Sequence, residues 1–388
     1  MTVTVAPGTL FKPAAVVAED VFGDSAATFL GSARNQSFVY AGGADARVFG
    51  DAPELARTAV GGRDSFTATG VGSLWGDAET LTGSARGGND TIRATGPADP
   101  ADGRLFVYGD GNLADRASGG DDIIRVRGSV TVYGEGESLG SSRAGGNDVV
   151  VARGDGATIY GDASFVGAAH CGNDRITVHG HAGTVSGDSQ YLTFGSLGGN
   201  DRIVVSGSAA ELFGDASIYL GFGGIGAVDG SRGGNDVLVN KGATGLVMTG
   251  DASLLHDATH GGNDTLIGGD GGDRLRGDAQ FVFDGSTCGS DVLAGGRGDD
   301  TMFGDAEGFS NAGSRGADRF VFAADSGHDV IGDFEVGKDK IDVSALGLHD
   351  LGDLTITPGT DTAVQFSSGN DVILAGVAGV AAGDFIFA

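Results

Sequence analysis

Short runs of alternating apolar and polar residues return along the chain about every 26 or 27 residues. The runs "DTIRAT", "DIIRVR", "DRITVH" and "DRIVVS" each place one apolar side chain on the same face, at Ile92, Ile124, Ile176 and Ile203. A second series, "RLFVYGD", "ATIYGD" and "AELFGD", does the same with Val107, Ile159 and Leu212. Alternation with a period of two predicts short β-strands. Because two short strands cannot bury an apolar face alone, the repeats are expected to stack into an all-β, parallel β-solenoid.

Each repeat contains two acidic turns. The first is a Gly-Asp pair, once Gly-Glu, which begins at Gly23, Gly50, Gly76, Gly109, Gly134, Gly161, Gly187, Gly214, Gly250, Gly277 and Gly304. The second follows about thirteen residues later and ends in Asp64, Asp90, Asp122, Asp148, Asp174, Asp201, Asp236, Asp264, Asp291 or Asp318. In the first coil, Ser37 stands where that Asp is expected. The sequence therefore predicts about eleven coils.

Composition narrows the class of ligand. The chain has 75 glycines, six prolines and 40% hydrophobic residues among 388, which suits a turn-rich protein that still builds a core. A formal net charge of −28 gives no basic excess to neutralise phosphates, so nucleic acid is not an expected partner. Dense carboxylates suit hard divalent cations, above all Ca²⁺. No apolar run reaches transmembrane length, and the first residues, "MTVTVAPGTLFKPAAVVAEDVF", lack the pattern of a secretory signal.

A segment of eight or nine residues separates the two acidic turns of most coils. In "GDASFVGAAHCGNDRI" (161–176), removal of "SFVGAAHC" leaves "GDAGNDRIT", a sequence with the spacing of one continuous turn and strand. We call this segment the excursion. It is expected to form a surface loop on one edge of each coil.

Two stretches near the C-terminal end, "GGDGGDRLR" (268–276) and "GGRGDDTMF" (295–303), match the nonapeptide Gly-Gly-x-Gly-x-Asp-x-apolar-x. With these motifs the chain resembles the RTX family of calcium-binding β-rolls. The resemblance implies several Ca²⁺ ions between stacked turns, mainly on the edge that carries the excursions. It implies metal contacts from Asp51, Asp64, Asp77, Asn89, Asp90, Asp110, Asp122, Asn147, Asp148, Asp162, Asn173, Asp174, Asp188, Asn200, Asp201, Asp215, Asn235, Asp236, Asp251, Asn263, Asp264, Gly269, Asp270, Gly271, Asp273, Asp278, Asp291, Gly296, Gly298, Asp300, Asp305 and Asp318. Both edges are expected to hold ions only in the last coils, where Asp273 and Asp300 occur.

The last seventy residues depart from the repeat. "ADRFVFAADSGHDVIGDFEVGKDKIDVSALG" (317–347) and the terminal "DFIFA" resemble the C-terminal cap and secretion segment of RTX proteins exported by type I systems. The expected organisation is an N-terminal entry segment over 1–22, a β-roll over 23–317 and a cap with secretion segment over 318–388. The resemblance implies contact with type I secretion machinery and an extracellular or cell-surface location outside a Gram-negative bacterium.

Because the repeats and the cap occupy nearly the whole chain, no separate catalytic domain is expected. The main hypothesis is a secreted structural protein that folds on extracellular Ca²⁺ and self-associates or binds a surface or matrix partner. Two motifs that imitate catalytic signatures, "GESLG" around Ser138 and the pair His256 and His260, lack the strand-to-helix or helical context that their chemistry needs. The protein is therefore not expected to be an enzyme.

Two surface columns offer an alternative function. An aromatic residue immediately precedes most Gly-Asp pairs, and these residues are expected to stack as a column: Phe22, Phe49, Trp75, Tyr108, Tyr133, Tyr160, Phe213 and Phe303. The rings could be exposed and bind a carbohydrate or a partner, or they could be covered by the excursion residues Leu81, Phe165 and Leu192. Arg127, Arg153, His179 and Lys241 form a weak basic stripe. The column Thr67, Arg93, Arg125, Val151, Thr177 and Val204 is too mixed for binding ice.

The two cysteines, Cys171 and Cys288, occupy equivalent repeat positions four coils apart, which predicts a separation of roughly 19 Å. That distance excludes an intramolecular disulfide. Both thiols are expected to be unoxidised, buried under a loop or linked between molecules.

Overall fold

The chain is an all-β parallel solenoid of about eleven turns. Its computed structural model describes residues 3–4, 20–24, 27–42, 46–141, 144–220, 230–283, 285–310 and 313–388. The predicted fold class is confirmed. Most of the expected entry segment, 1–22, lies outside the described residues. Internal contacts divide the chain into two units, Met1–Arg202 and Ile203–Ala388. The expected boundaries at 22/23 and 317/318 stay predictions.

Three parallel sheets build unit 1, and in each sheet the strands follow one another in coil order. Sheet I contains the strands that precede the Gly-Asp pairs: Val3–Thr4, Asp20–Phe22, Arg47–Phe49, Gly72–Trp75, Leu105–Tyr108, Val130–Tyr133, Ala157–Tyr160 and His181–Ser186. Sheet II contains the strands after the second acidic turn: Ser37–Gly42, Ser65–Gly70, Thr91–Thr95, Ile123–Arg127, Val149–Arg153 and Arg175–His179. Sheet III comes from the excursions: Glu54–Leu55, Thr80–Leu81, Asn112–Ala114, Ser138–Gly140, Ala163–Gly167 and Ser189–Thr193. A 3₁₀-helix spans Pro100–Asp102.

Unit 2 is also built from three sheets of these kinds, and the strand Arg202–Val205 lies at the division. Its sheet I contains Ser208–Phe213, Val247–Thr249, Arg274–Arg276, Thr301–Phe303, His328–Ile331 and Asn370–Leu374, and it ends in antiparallel Thr362–Ser367 and Thr355–Thr357. Sheet II has Val237–Asn240, Thr265–Asp270, Val292–Arg297, Arg319–Val321, Lys340–Asp342 and Phe385–Ile386. Sheet III has Ala216–Leu220, Ala252–Leu255, Ala279–Val282 and Ala306–Phe309. Short 3₁₀-helices occupy Ser344–Leu346, Leu351–Asp353 and Ala382–Asp384.

The core consists of apolar ladders, one residue from each coil. Ile92, Ile124 and Ile176 of sheet II and Val107 and Ile159 of sheet I are fully buried, as the alternation predicts. Each fully buried side chain of this size contributes about 1.5–3 kcal/mol. Since neighbouring coils pair in register, this contribution repeats at every coil.

The excursions are not surface loops, which corrects the expectation from the sequence. Their short strands pair from coil to coil as sheet III, and most of them supply one buried apolar residue. In unit 1 these residues form a ladder in which every member is at most 1% exposed: Leu55, Leu81, Leu113, Leu139, Val166 and Leu192. The excursions therefore carry a core of their own.

Register corrects one assignment in the first coil. Ser37 pairs with Ser65, so it stands one place after the acidic position. The buried Gln36 occupies that position, and its backbone N–H donates to Asp64 Oδ1 at 2.6 Å. An amide therefore replaces the carboxylate in this coil.

In the described part of the chain, none of the helices is long and apolar enough to cross a membrane.

Candidate metal centres in buried carboxylate columns

The acidic residue of each Gly-Asp or Gly-Glu pair lies where a sheet I strand passes into an excursion. Its carboxylate accepts a hydrogen bond from a backbone N–H at the far end of the same excursion, as from Gly62 to Asp51 at 2.9 Å and from Gly88 to Asp77 at 2.7 Å. We call these residues the first carboxylate column. Its buried members are Asp51, Asp77, Asp110, Glu135, Asp162 and Asp188 in unit 1, and Asp215, Asp251, Asp278 and Asp305 in unit 2.

The second carboxylate column comes from the turn before sheet II. One oxygen of each Asp accepts the backbone N–H of the equivalent residue in the preceding coil, as from Asp64 to Asp90 and from Asp90 to Asp122, both at 2.6 Å. The buried members are Asp64, Asp90, Asp122, Asp148, Asp174 and Asp201 in unit 1, and Asp236, Asp264, Asp291 and Asp318 in unit 2. This ladder ties each coil to its neighbour.

Many carboxylate oxygens in the two columns have no hydrogen-bond donor although they are shielded from solvent. In the first column these atoms are Oδ1 of Asp51, Asp77 and Asp110, Oε2 of Glu135, and Oδ2 of Asp251 and Asp278. In the second column they are Oδ2 of Asp64, Asp90, Asp122, Asp148, Asp174, Asp291 and Asp318. Native proteins pair nearly all buried polar atoms, so these oxygens are the atoms of the columns that are able to take up a proton or a cation.

Glycine at the first acidic turn keeps the space around these oxygens open. A Cβ on Gly76 would lie closer than 3.0 Å to Asp90 Oδ2 and to the Gly109 carbonyl oxygen of the next coil. Any other residue at this place would therefore push the two coils apart.

Burial and neighbouring carboxylates raise the pKa values in both columns. Burial first, and the Asp77 carboxylate next, raises the pKa of Asp51 to about 10. Burial and the Asp51 charge raise the pKa of Asp64 to about 9. The pKa of Asp122 also lies well above its ordinary value because of burial and the charge of Asp148. The exposed Asp121 beside it has a lowered pKa, chiefly because it accepts the Asn147 backbone N–H. The members of the two columns thus hold a negative charge at a higher electrostatic cost than the exposed Asp121 does.

Arginines reach the first column at its two terminal coils. In the first coil, Arg34 Nε lies 3.1 Å from Asp24 Oδ1. In the last coil, the Arg315 guanidinium lies 3.6 Å from Asp305 and 3.9 Å from Asp333. The chain therefore places a fixed cation against the column at these two coils.

A third, shorter column lies on the opposite edge of unit 2. Asp273 N–H donates to Asp300 Oδ1 at 2.7 Å, and Asp300 N–H donates to Asp329 Oδ1 at 2.9 Å. Burial raises the pKa of Asp273 to about 7, that of Asp300 to about 6 and that of Asp329 to about 7. The structure thus brings together the two Asp residues expected here and adds Asp329.

The glycines expected beside this column form its turns. All four have positive φ, which favours glycine: Gly269, Gly271, Gly296 and Gly298. Asp270 behaves differently, because it lies exposed at the end of the strand Thr265–Asp270. The structure therefore does not place Asp270 in the column.

The asparagine side chains do not join the carboxylates. Asn89, Asn147, Asn173, Asn200, Asn235 and Asn263 are all exposed. Several instead form a ladder along the surface, in which Asn173 Nδ2 donates to Asn147 Oδ1 at 3.0 Å and Asn200 Nδ2 donates to Asn173 Oδ1 at 2.9 Å. This arrangement does not support the interpretation of these asparagines as side-chain metal ligands.

The expected aromatic column exists in unit 1 and is mostly covered. Its rings stack from Phe22 to Tyr160 with centroids 4.7–5.4 Å apart. Buried members are Phe49, Trp75, Tyr108 and Tyr160 in unit 1 and Phe213 in unit 2, whereas Phe22, Tyr133 and Phe303 are half-buried. Tyr108 donates its hydroxyl hydrogen to excursion residue Glu137 at 2.8 Å. Leu81, Phe165 and Leu192 all lie in sheet III strands, where Leu81 and Leu192 are buried and Phe165 is exposed.

The basic stripe is also formed as expected, since Arg127, Arg153 and His179 pair in register and are exposed in unit 1. Lys241 is exposed in unit 2. Of the residues that imitate catalytic motifs, Ser138 begins a sheet III strand in register with Phe165, and His260 pairs with Arg232 and Thr287 in isolated bridges.

The sequence analysis missed several residues of the columns. Glu135 was visible as the one Gly-Glu pair, and it accepts the Gly146 N–H as the aspartates do in other coils. Asp333 accepts three consecutive N–H groups of residues 304–306, and Asp339 accepts the Asp318 N–H at 3.0 Å. Asp333 belongs to a further Gly-Asp pair, Gly332-Asp333, which lies 28 residues after the previous one, so the sequence offered a signal for it. Asp339 follows no repeat spacing, so only the fold reveals it.

Cys171 and Cys288 form no disulfide with each other, as expected. The buried Cys171 and the half-buried Cys288 both lie against the first carboxylate column. Burial and the charges of Asp278 and Asp305 raise the pKa of the Cys288 thiol.

No protein-family model and no curated protein matches the chain, so the likeness to RTX proteins rests on the motifs and on the solenoid.

Proposed function

We propose that the protein binds several Ca²⁺ ions in its carboxylate columns and folds as it binds them, as a structural β-solenoid of RTX type. The observation that supports this proposal most directly is the set of buried carboxylate oxygens that lack a donor, such as Asp77 Oδ1 and Asp122 Oδ2. A hard cation with oxygen ligands would supply the missing partner at each coil.

The spacing of the coils suits Ca²⁺. Adjacent parallel strands lie about 4.8 Å apart, so an ion midway between equivalent oxygens of two coils lies about 2.4 Å from each. Ca²⁺ binds oxygen at about 2.3–2.6 Å and accepts six to eight ligands in flexible geometry, whereas Mg²⁺ requires about 2.0–2.1 Å and a strict octahedron. The residues present therefore fit Ca²⁺ better than Mg²⁺.

Arg34 and Arg315 support the same interpretation. In the two terminal coils, a guanidinium supplies positive charge to Asp24 and to Asp305. Several interior coils have glycine at the place equivalent to Arg315, for example Gly145 and Gly261, so a soluble cation would take the role of the arginine there.

The proposed setting is outside the cell. Without a cation, the carboxylates must take up protons or repel one another, and the glycine-rich turns add a large entropic cost of folding. Extracellular modules bind Ca²⁺ at about 10⁻⁴–10⁻³ M, far above its cytosolic level. Together with the C-terminal resemblance, this favours export by a type I system in an unfolded state, followed by folding on Ca²⁺.

Self-association is the proposed outcome of folding. The exposed stripe of Arg127, Arg153 and His179 stands on a chain with a net charge of −28, so it could pair with an acidic edge of a second copy. The alternative, carbohydrate binding through the aromatic column, needs exposed rings, and five of the eight are buried.

The proposal is tested by titration of the full chain with CaCl₂, followed by circular dichroism and light scattering, with MgCl₂ as the matched control. We expect cooperative β-structure with Ca²⁺ but not with Mg²⁺, together with large particles. Full β-structure in EDTA at neutral pH would overturn the calcium role. A folded monomer at saturating Ca²⁺ would overturn self-association but leave the calcium role intact.

A further inference from the structure

In two coils, a cysteine side chain lies against the first carboxylate column. In unit 1, Cys171 Sγ and one carboxylate oxygen each from Asp162 and Asp188 lie within 4.8 Å of one another. In unit 2, Cys288 Sγ has the same relation to Asp278 and Asp305. In both cases one Asp belongs to the coil of the cysteine and the other to the next coil. The same three-residue set is therefore built twice.

The other coils show how unusual a side chain is at this place. Register aligns Gly145 with Cys171, and Gly261 with Cys288. A Cβ on Gly145 would lie closer than 3.0 Å to Asp162 Oδ1, and a Cβ on Gly261 would meet Asp278 and Asp251 in the same way. A side chain at this position thus enters the space between the carboxylates of two consecutive coils.

The last coil shows which chemistry this space accepts. Register places Arg315 at the position of Cys288, and its guanidinium contacts Asp305 and Asp333 of successive turns. The side chain at this position therefore brings a positive charge between two carboxylates. A cysteine cannot supply that charge itself, but as a thiolate it can bind a metal ion that does.

We propose that Cys171 with Asp162 and Asp188, and Cys288 with Asp278 and Asp305, form two binding sites for a thiophilic divalent cation of the Zn²⁺ class. One sulfur and two carboxylate oxygens, with water as a fourth ligand, make a set that Zn²⁺ accepts. Bond lengths of about 2.3 Å to sulfur and about 2.0–2.2 Å to oxygen require ligand atoms at most about 4.5 Å apart, so a small contraction closes each site.

A buried oxygen without a donor supports the site in unit 2. Asp278 is fully buried, and its Oδ1 accepts the Gly289 N–H at 2.6 Å. Its Oδ2 has no hydrogen-bond donor. A cation bound by Cys288 and Asp305 would satisfy this atom.

The donor set separates these two sites from the others. Interior coils with glycine at this position offer oxygen ligands only, which suit Ca²⁺. Replacing one oxygen by a thiolate shifts preference toward zinc and other soft or borderline ions. The chain would therefore hold two kinds of metal ion in one column.

The test uses the full chain, reduced and held in excess CaCl₂, with Co²⁺ as the spectroscopic probe for a zinc-type site. Thiolate coordination of Co²⁺ gives a charge-transfer absorption that oxygen ligands do not give. We expect two Co²⁺ ions per chain with this band, and full loss of the band when two equivalents of Zn²⁺ are added. The variants C171G and C288G restore the residue found in other coils, so each should fold and lose half of the band.

Two further variants make the result decisive. The double variant C171G/C288G should lose the whole band while its Ca²⁺-dependent circular dichroism stays unchanged. D188N retains Cys171 but removes one carboxylate, and it should lose the half of the band that belongs to that site. The inference is wrong if no charge-transfer band appears at saturating Co²⁺, if the band survives in the double variant, or if D188N leaves it intact. These readouts are independent of whether Ca²⁺ drives folding, so either proposal can fail alone.

Discussion

Replacing Asp122 by Asn should change stability in opposite directions with and without Ca²⁺. Asp122 is buried, its Oδ1 accepts the Asp90 N–H at 2.6 Å, and its Oδ2 has no donor. Asparagine retains Oδ1 as an acceptor and nearly the same shape, but it removes the charge. The variant therefore isolates the electrostatic part of the site from the hydrogen-bond ladder.

The size of the effect without metal follows from proton linkage. An unfolded Asp has a pKa of about 3.9, and the pKa of buried Asp122 is far higher. At pH 7 the folded chain can keep the charge on Asp122 or take up a proton there. Protonation at pH 7 costs about 1.4 kcal/mol for each pH unit above the unfolded pKa, and pH 7 lies about three units above it. D122N should therefore stabilise the metal-free fold by at most about 4 kcal/mol. In Ca²⁺ the same change removes an anionic ligand and should destabilise the fold by about 3–5 kcal/mol.

The assay is equilibrium urea unfolding, followed by circular dichroism, in EDTA and in saturating CaCl₂ at pH 7. Because the chain is not expected to form full β-structure in EDTA alone, all samples of this and the following experiments in EDTA contain the same concentration of trimethylamine oxide, chosen so that the metal-free chain is folded before urea or heat is applied. D121N is the matched control, because it makes the same charge change one residue away on an exposed side chain. We expect D121N to change stability by less than about 0.5 kcal/mol in either buffer. Destabilisation by D122N of the same size in both buffers would refute the reasoning, since the carboxylate would then act only as a hydrogen-bond acceptor.

Three other predictions concern pH, the excursions and the terminal arginine. The folded pKa values of about 10 for Asp51 and about 9 for Asp64 lie above the values of the unfolded chain. The metal-free fold should therefore be most stable below about pH 4 and should lose stability as the pH rises toward 10. Urea midpoints in EDTA at pH 5 and pH 8 measure this dependence, and a higher midpoint at pH 8 would contradict it. Leu139 is fully buried in sheet III, so L139A should cost about 2–5 kcal/mol in calcium-loaded protein by urea unfolding, whereas a change below about 0.5 kcal/mol would mean that the excursion is a loop. R315G removes the fixed cation near Asp305 and should lower the thermal midpoint more in EDTA than in CaCl₂, and an equal loss in both would show that the arginine acts only by packing.

The repeat could be predicted because one residue per coil carries each structural role. The apolar residues of sheet II alternate over about five positions, as in Ile123–Arg127 and Val149–Arg153, which is enough to distinguish strand from loop. Their inward members are buried as expected. The acidic residues recur at fixed spacing for the same reason. Periodic spacing thus indicated both the parallel solenoid and its two main carboxylate columns.

Sheet III could not be predicted in this way. The strands Glu54–Leu55 and Thr80–Leu81 have two residues each, which is too short for an alternating pattern. A weaker signal was present, since one leucine or valine recurs in most excursions, and stacking turns it into a ladder. The second feature that sequence alone missed, the placement of Cys171 between Asp162 and Asp188, depends on the approach of two coils.

The asparagines show how the same alternation applies within the acidic turn. Asn173 and Asn200 directly precede the acidic residues of the second column, and that proximity suggested metal contacts. In a strand-like segment, neighbouring side chains point to opposite sides, so a buried Asp174 requires an exposed Asn173. The alternation of buried and exposed side chains that holds for the apolar strand residues therefore also holds for the acidic turn before sheet II.

The hydrogen-bond ladder of the second carboxylate column has one polarity along the coils. Each Asp accepts a hydrogen bond from the coil before it, so in unit 2 the Asp291 N–H donates to Asp318, and the Asp318 N–H donates to Asp339. A coil therefore satisfies the backbone donor of the coil before it and depends on the turn after it for its own. Loss of one acceptor is thus felt first by the coil that precedes it in the sequence.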